Sequence, residues 1–93
     1  MTHDTDQIMF ECYRETTYKR RYRVVFFTEL DEHERDAEIG AAMAGEHFTG
    51  GFIRASEMPA ARQVIRELVD RLNSGEPLSP QGFDEALASY CVQ

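Results

Sequence analysis

The chain has 93 residues, a formal net charge of −7 and no tryptophan. That length accommodates one hydrophobic core and excludes two. Apolar residues at 42% and charged residues at 29%, with Phe 6 and Tyr 4, exclude the aromatic-poor composition of a disordered chain. An acidic total also argues against indiscriminate attachment to nucleic acid or anionic lipid, because a negative surface is repelled before specific contacts form.

The longest run of large apolar residues is Val24-Val25-Phe26-Phe27, far short of the roughly 20 that span a bilayer. Residues 1–6 are polar and acidic, without the basic start and apolar stretch of a secretory signal. The expectation is a cytoplasmic protein with a flexible N-terminus over 1–6 and a single compact domain over 7–93. Cys12 and Cys91 lie far apart in the chain and lack the dense spacing of a disulfide framework or zinc ribbon. Both read as buried or half-buried thiols.

From Gln7 to Tyr13 the chain alternates with a period of two. Ile8, Phe10 and Cys12 fall on one side and Met9, Glu11 and Tyr13 on the other, which predicts a strand. Tyr22–Leu30 repeats the pattern with β-favouring residues. The connection Glu15–Arg20 lacks the Asn-Gly or Asp-Gly of a tight turn and predicts a longer hairpin loop. Val25 and Phe27 make the second face of this strand apolar as well, so it needs a cover, either helices or a second copy of the chain.

Asp31 then reads as an N-cap, with Glu32 and Glu34 in a first turn that favours negative charge, predicting a helix over Glu32–Ala44. Gly45 stops it. Glu46–Arg54 reads as a short strand or an ordered loop broken by Gly50 and Gly51, its aromatic and Ile side chains tucked inward. Ser56 is the expected cap of the next helix, with Pro59 in its first turn. Met58, Ala61, Ile65, Leu68 and Leu72 form an apolar stripe there, and Glu67 and Arg71 form a surface pair. Ser79-Pro80 opens a final helix, expected to run nearly to the chain end. The fold class that follows is α+β: an antiparallel β-hairpin, extended by a third short strand near Phe52, packed against two or three helices.

Charge is segregated along the chain. Glu29, Asp31, Glu32, Glu34, Asp36 and Glu38 crowd ten positions, while Arg14, Lys19, Arg20, Arg21 and Arg23 surround the hairpin connection. The acidic run lacks the glycine at which a calcium loop must turn. It reads either as a solvated helix start or as a face that engages a basic partner. Tyr13, Tyr18 and Tyr22 interleave with the cations, the materials that stack bases and neutralise phosphates on single strands, although basic side chains also protect exposed sheet edges.

His33, His47 and Glu46 are the residues from which a metal site would be built, but no His-Glu-x-x-His or Cys-x-x-Cys pattern accompanies them. No arrangement of Ser, Cys, His and Asp suggests covalent catalysis, and no cofactor motif occurs. The leading expectation is a small noncatalytic protein-binding or regulatory module that presents Glu29, Asp31, Glu32, Glu34, Asp36 and Glu38 to a basic protein. An inhibitor that mimics nucleic-acid phosphates is one form of it. Two alternatives remain: single-stranded nucleic-acid binding by Tyr18, Lys19, Arg20, Arg21 and Arg23, and a metal-assisted enzyme. A homodimer through the sheet face would be one way of covering Val25 and Phe27.

Overall fold

The computed structural model describes residues 7–17, 19–27 and 30–92. Its elements follow in the order β1 (Gln7–Arg14), β2 (Tyr22–Phe26), α1 (Glu32–Ala44), β3 (Glu46–Arg54), α2 (Met58–Asn73) and α3 (Pro80–Leu87). The strands make one antiparallel sheet in the order β2-β1-β3, so the α+β arrangement read from periodicity is the observed one. β2 is shorter than its alternating pattern suggests and ends at Phe26; Thr28 and Glu29 lie outside the described residues.

β3 is a full strand of 9 residues rather than a short or broken one. Its glycines sit directly opposite Phe10 and Glu11 of the central strand. Pairing with β1 thus outweighs the poor strand propensity of glycine. One irregularity interrupts the ladder: Cys12 faces Thr49 while Tyr13 faces His47, leaving Phe48 as the extra residue of a bulge. The bulge turns Phe48 and Thr49 toward α3 together. Phe48 meets Phe83 with ring centroids 5.9 Å apart, and the Thr49 hydroxyl donates to Asp84.

Phe10, Cys12, Phe26 and Ile53 project from one face of the sheet onto Met58, Ala61, Ile65, Leu68, Val69 and Leu72 of α2 and Phe83 and Leu87 of α3. Burying a large aliphatic or aromatic side chain of this kind contributes roughly 1.5–3 kcal/mol. The α2 residues are those that the 3.6-residue repeat brings to one stripe. Ser56 does not cap this helix. It sits in a 3₁₀ turn, Ala55–Glu57, and the helix N-cap is Glu57, which makes no side-chain capping bond. Arg71 likewise bonds Glu76, which follows the helix, at 2.6 Å, because the chain reverses there and brings Glu76 back alongside it.

Ser79 caps α3 as expected, accepting from the Gly82 N–H at 3.0 Å. The helix nevertheless ends at Leu87 instead of continuing. Residues beyond it pair with the edge of β3: Arg54 N–H donates to the Tyr90 carbonyl at 3.2 Å and Val92 N–H to the Phe52 carbonyl at 2.8 Å. Unpaired strand groups at an edge supply a stronger demand for partners than two more helical residues would.

The other edge is met by a side chain. Asn73, at the end of α2, accepts from Tyr22 N–H at 2.7 Å through Oδ1 and donates to the Tyr22 carbonyl at 3.0 Å through Nδ2. Its amide therefore substitutes for the backbone of a neighbouring strand.

The second sheet face carries Tyr13 and Val25, both buried yet outside the main cluster. Helix α1 covers this face, with Asp31 as its N-cap accepting from Glu34 N–H at 2.8 Å. A Cβ at Gly45 would lie 2.6 Å from the Tyr13 ring and 2.9 Å from the Arg14 carbonyl, so glycine is what lets α1 end directly against β1. No residue of α1 is itself buried. No helix among the described residues is long and apolar enough to cross a membrane.

The two helix environments predict opposite sensitivities. Ile65→Ala should lower unfolding free energy by about 2–5 kcal/mol, whereas Met43→Ala should stay within about 0.5 kcal/mol; urea titrations followed by circular dichroism measure both. Asn73→Ala strips two bonds from the β2 edge and should cost about 1–3 kcal/mol. Hydrogen exchange at the Tyr22 amide should quicken in step.

Candidate functional site

The acidic helix is divided by its own geometry. At 3.6 residues per turn, Glu34 and Glu38 share one side of α1, and Glu32 and Asp36 share another. Asp31 is committed to the cap, and Glu29 lies outside the described residues. Glu38 is half-buried and lines a cleft of about 250 Å³ with Arg23, Arg62 and Leu30. The five described carboxylates of the sequence run therefore do not form one continuous row.

The side bearing Glu32 and Asp36 continues through Ile39 and Met43, at helical steps of four, three and four. Ile39 is 38% exposed and Met43 80%; across from them Met9 is 42% and Phe52 47% exposed. Met9 and Phe52 are direct cross-strand partners. Met9, Glu11, Phe27, Ile39, Ala42 and Met43 line a cleft of about 190 Å³ between α1 and the sheet. The result is an apolar patch bordered by carboxylates.

Phe52 corrects the inward placement expected for the aromatic residues of 46–54. Ile53 takes the buried position, since neighbouring strand residues must face opposite ways. The signal for the patch was present in β1, where Met9 is out of phase with Phe10 and Cys12. Its neighbours on α1 came from a helix position that periodicity alone did not orient.

The basic segment is extensively engaged with its own chain. Arg20, at φ 50 in the hairpin loop, pairs with Glu46 at 3.8 Å, and Arg23 pairs with Glu15 at 3.7 Å. Arg14 donates to the Arg20 carbonyl at 3.2 Å and lies 5.5 Å from the centroid of the Tyr22 ring. Tyr22 also meets Phe48 edge-on, with centroids 5.3 Å apart, while Tyr13 is buried. Of the three interleaved tyrosines, two are thus turned to internal packing, and Tyr18 lies outside the described residues. Lys19 and Arg21 border a shallow cleft with Asp70, Asn73 and Ser74.

His33, His47 and Glu46 do not converge. His33 is exposed in the first turn of α1, His47 bonds Glu11, and Glu46 faces Arg20. Among the described residues, no three His, Cys, Asp or Glu side chains are grouped to hold a metal ion.

The thiols are protonated at neutral pH. Burial, reinforced by the neighbouring Glu11 carboxylate, pushes Cys12 up to about 12. Cys91 is also raised, by burial first and Asp84 second, with Arg54 opposing. The two thiols align with Thr49 and Ile53 of β3 respectively, so four residues of strand, roughly 13 Å, separate them along the sheet. That exceeds the reach of a disulfide.

An open three-stranded antiparallel sheet with α2 and α3 on one face and α1, none of whose residues is fully buried, on the other places the chain in the α+β class. No family model, curated protein or solved structure matches it.

The thiol environments predict selective chemistry. Under native conditions at pH 8, iodoacetamide should alkylate half-buried Cys91 slowly and leave Cys12 unmodified, with both reacting rapidly in denaturant. Peptide mass spectrometry resolves the two sites, and equal native rates would contradict the described burial.

Proposed function

We propose that this chain is a noncatalytic protein-binding module that engages a basic partner through the side of α1 that borders Met9 and Phe52 of the sheet. The supporting observation is that Ile39, Met43, Met9 and Phe52 remain exposed beside Glu32 and Asp36 on a helix with no buried residue. Exposed large apolar residues gathered in one place and rimmed by charge are the composition of a docking surface. The apolar side chains supply contact area, and the carboxylates steer a cationic partner and set its orientation.

Charge selects a basic protein over a second copy. Each copy carries a net −7, and self-docking on this face would set carboxylates of both copies into one interface. The apolar half of the stripe likewise favours a protein partner over mimicry of a phosphate backbone, which calls for carboxylates along the full contact. Single-stranded nucleic-acid binding draws less support, since Arg20 and Arg23 pair with Glu46 and Glu15 and the Tyr22 ring is packed internally.

The division of the carboxylates supplies the test. Glu32→Lys combined with Asp36→Lys should abolish capture of basic proteins from host extract, while Glu34→Lys combined with Glu38→Lys should leave it largely intact. Circular dichroism verifies that both variants fold. Equal capture by the two variants would remove this face as the binding surface.

A further inference from the structure

We propose that the uncovered stretch of the β3 edge, at Thr49–Gly51, accepts an extended basic peptide as an additional antiparallel strand. This edge adjoins the α1 patch, with Met9, Glu11 and Phe52 bordering both, but the inference rests on the backbone of β3 and stands independently of that reading.

The edge already makes an antiparallel bridge of this kind with extended backbone, at Ile53 and Cys91. Residues 90–92 pair with it antiparallel, using outward backbone groups of Phe52 and Arg54. Outward-facing groups recur at every second residue of a strand, and no bulge intervenes between Phe52 and Gly50. The Gly50 N–H and C=O therefore point out of the sheet as well, and they have no hydrogen-bond partner among the described residues. A cleft of about 460 Å³ runs along this stretch, bordered by Glu11, His47, Thr49, Phe52 and Asp84 besides the two glycines. Edges of this kind are the usual seat of β-strand addition.

Glycine determines what the added strand should carry. Directly opposed residues of antiparallel strands share a face, so a partner residue opposite Gly50 lies on the same face as Glu11, the cross-strand neighbour of Gly50. Two strand spacings, roughly 10 Å, separate that partner residue from Glu11. Gly50 offers no side chain between them, and a Cβ there would sit 2.8 Å from the Glu11 carboxylate. A lysine opposite Gly50 can extend across the bare glycine to this carboxylate. The next partner residue faces the other side, where the Thr49 hydroxyl is bonded to Asp84. A second copy of the chain is a poorer occupant, because β3-to-β3 pairing would bring Glu11 and Asp84 of both acidic molecules together.

The probe is a fluorescein-labelled octapeptide of alternating lysine and threonine, measured by anisotropy at low salt. Placing lysine opposite Gly50 directs the lysine N–H groups at β3 and the threonine N–H groups away. N-methylation of the lysines should weaken binding about five- to tenfold or more, while N-methylation of the threonines should be tolerated. Binding should slow hydrogen exchange at the Gly50 amide, weaken severalfold in Glu11→Gln, and persist in Glu32→Lys/Asp36→Lys. That last variant separates this edge from the α1 face.

Absence of binding, equal losses for the two methylated series, or unchanged exchange at Gly50 would overturn the proposal. Sedimentation showing a dimer in which Gly50 is already protected would assign the edge to a second copy and overturn it equally. Loss of binding in Glu32→Lys/Asp36→Lys alone would transfer the peptide site to α1.

Discussion

Burial of Phe10, Cys12, Phe26 and Ile53 beneath the apolar stripe of α2 is the constraint on which the rest of the structure depends. A hairpin alone is at best marginally stable in water, and this one gains its stability from the helix laid across it. The third strand and α3 complete the same contact, with Phe83 and Leu87 fully buried against the cluster. Once α2 occupies this face, the remaining decisions concern the opposite face and the two edges.

The opposite face is covered differently. Tyr13 and Val25 are buried there, but α1 is rich in Ala and charged residues and brings little apolar bulk. It shields the sheet without sinking into it. One consequence is that the side of α1 away from the hairpin loop leaves Ile39 and Met43 exposed beside Met9 and Phe52. The feature that makes α1 a modest contributor to the core also leaves its side chains accessible, with carboxylates gathered at its N-terminal end.

The edges show two means of managing unpaired strand groups. Asn73 closes one end of β2 with a side-chain amide, and the segment following α3 closes one end of β3 with its backbone. Both originate from the helical layer that packs the core, which couples edge protection to correct docking of α2 and α3. The cover on β3 ends at Phe52, where the glycine pair begins. There the strand presents backbone with no intervening side chains.

The amino-acid sequence by itself determined the elements whose signal is local. The alternation of Gln7–Tyr13, the stripe of α2, the Asp31 and Ser79 caps and the stop at Gly45 each depend on neighbours within one or two turns. The observed boundaries of α1 coincide with those read from caps and glycine alone. The sequence also located the carboxylates, but it read them as one run, and only a helix oriented on a sheet separates Glu32 and Asp36 from Glu34 and Glu38. Tertiary structure alone decided that Glu46–Arg54 is a full strand, that Ser56 forfeits its cap, and that the last helix stops at Leu87. For the strand and for the last helix a long-range partner, β1 for the glycines and the β3 edge for residues 90–92, outweighed the local preference. Exposure of Met9, Phe52, Ile39 and Met43 was settled in the same way, because which apolar residues remain outside depends on where the helices pack and on how much of the sheet they cover.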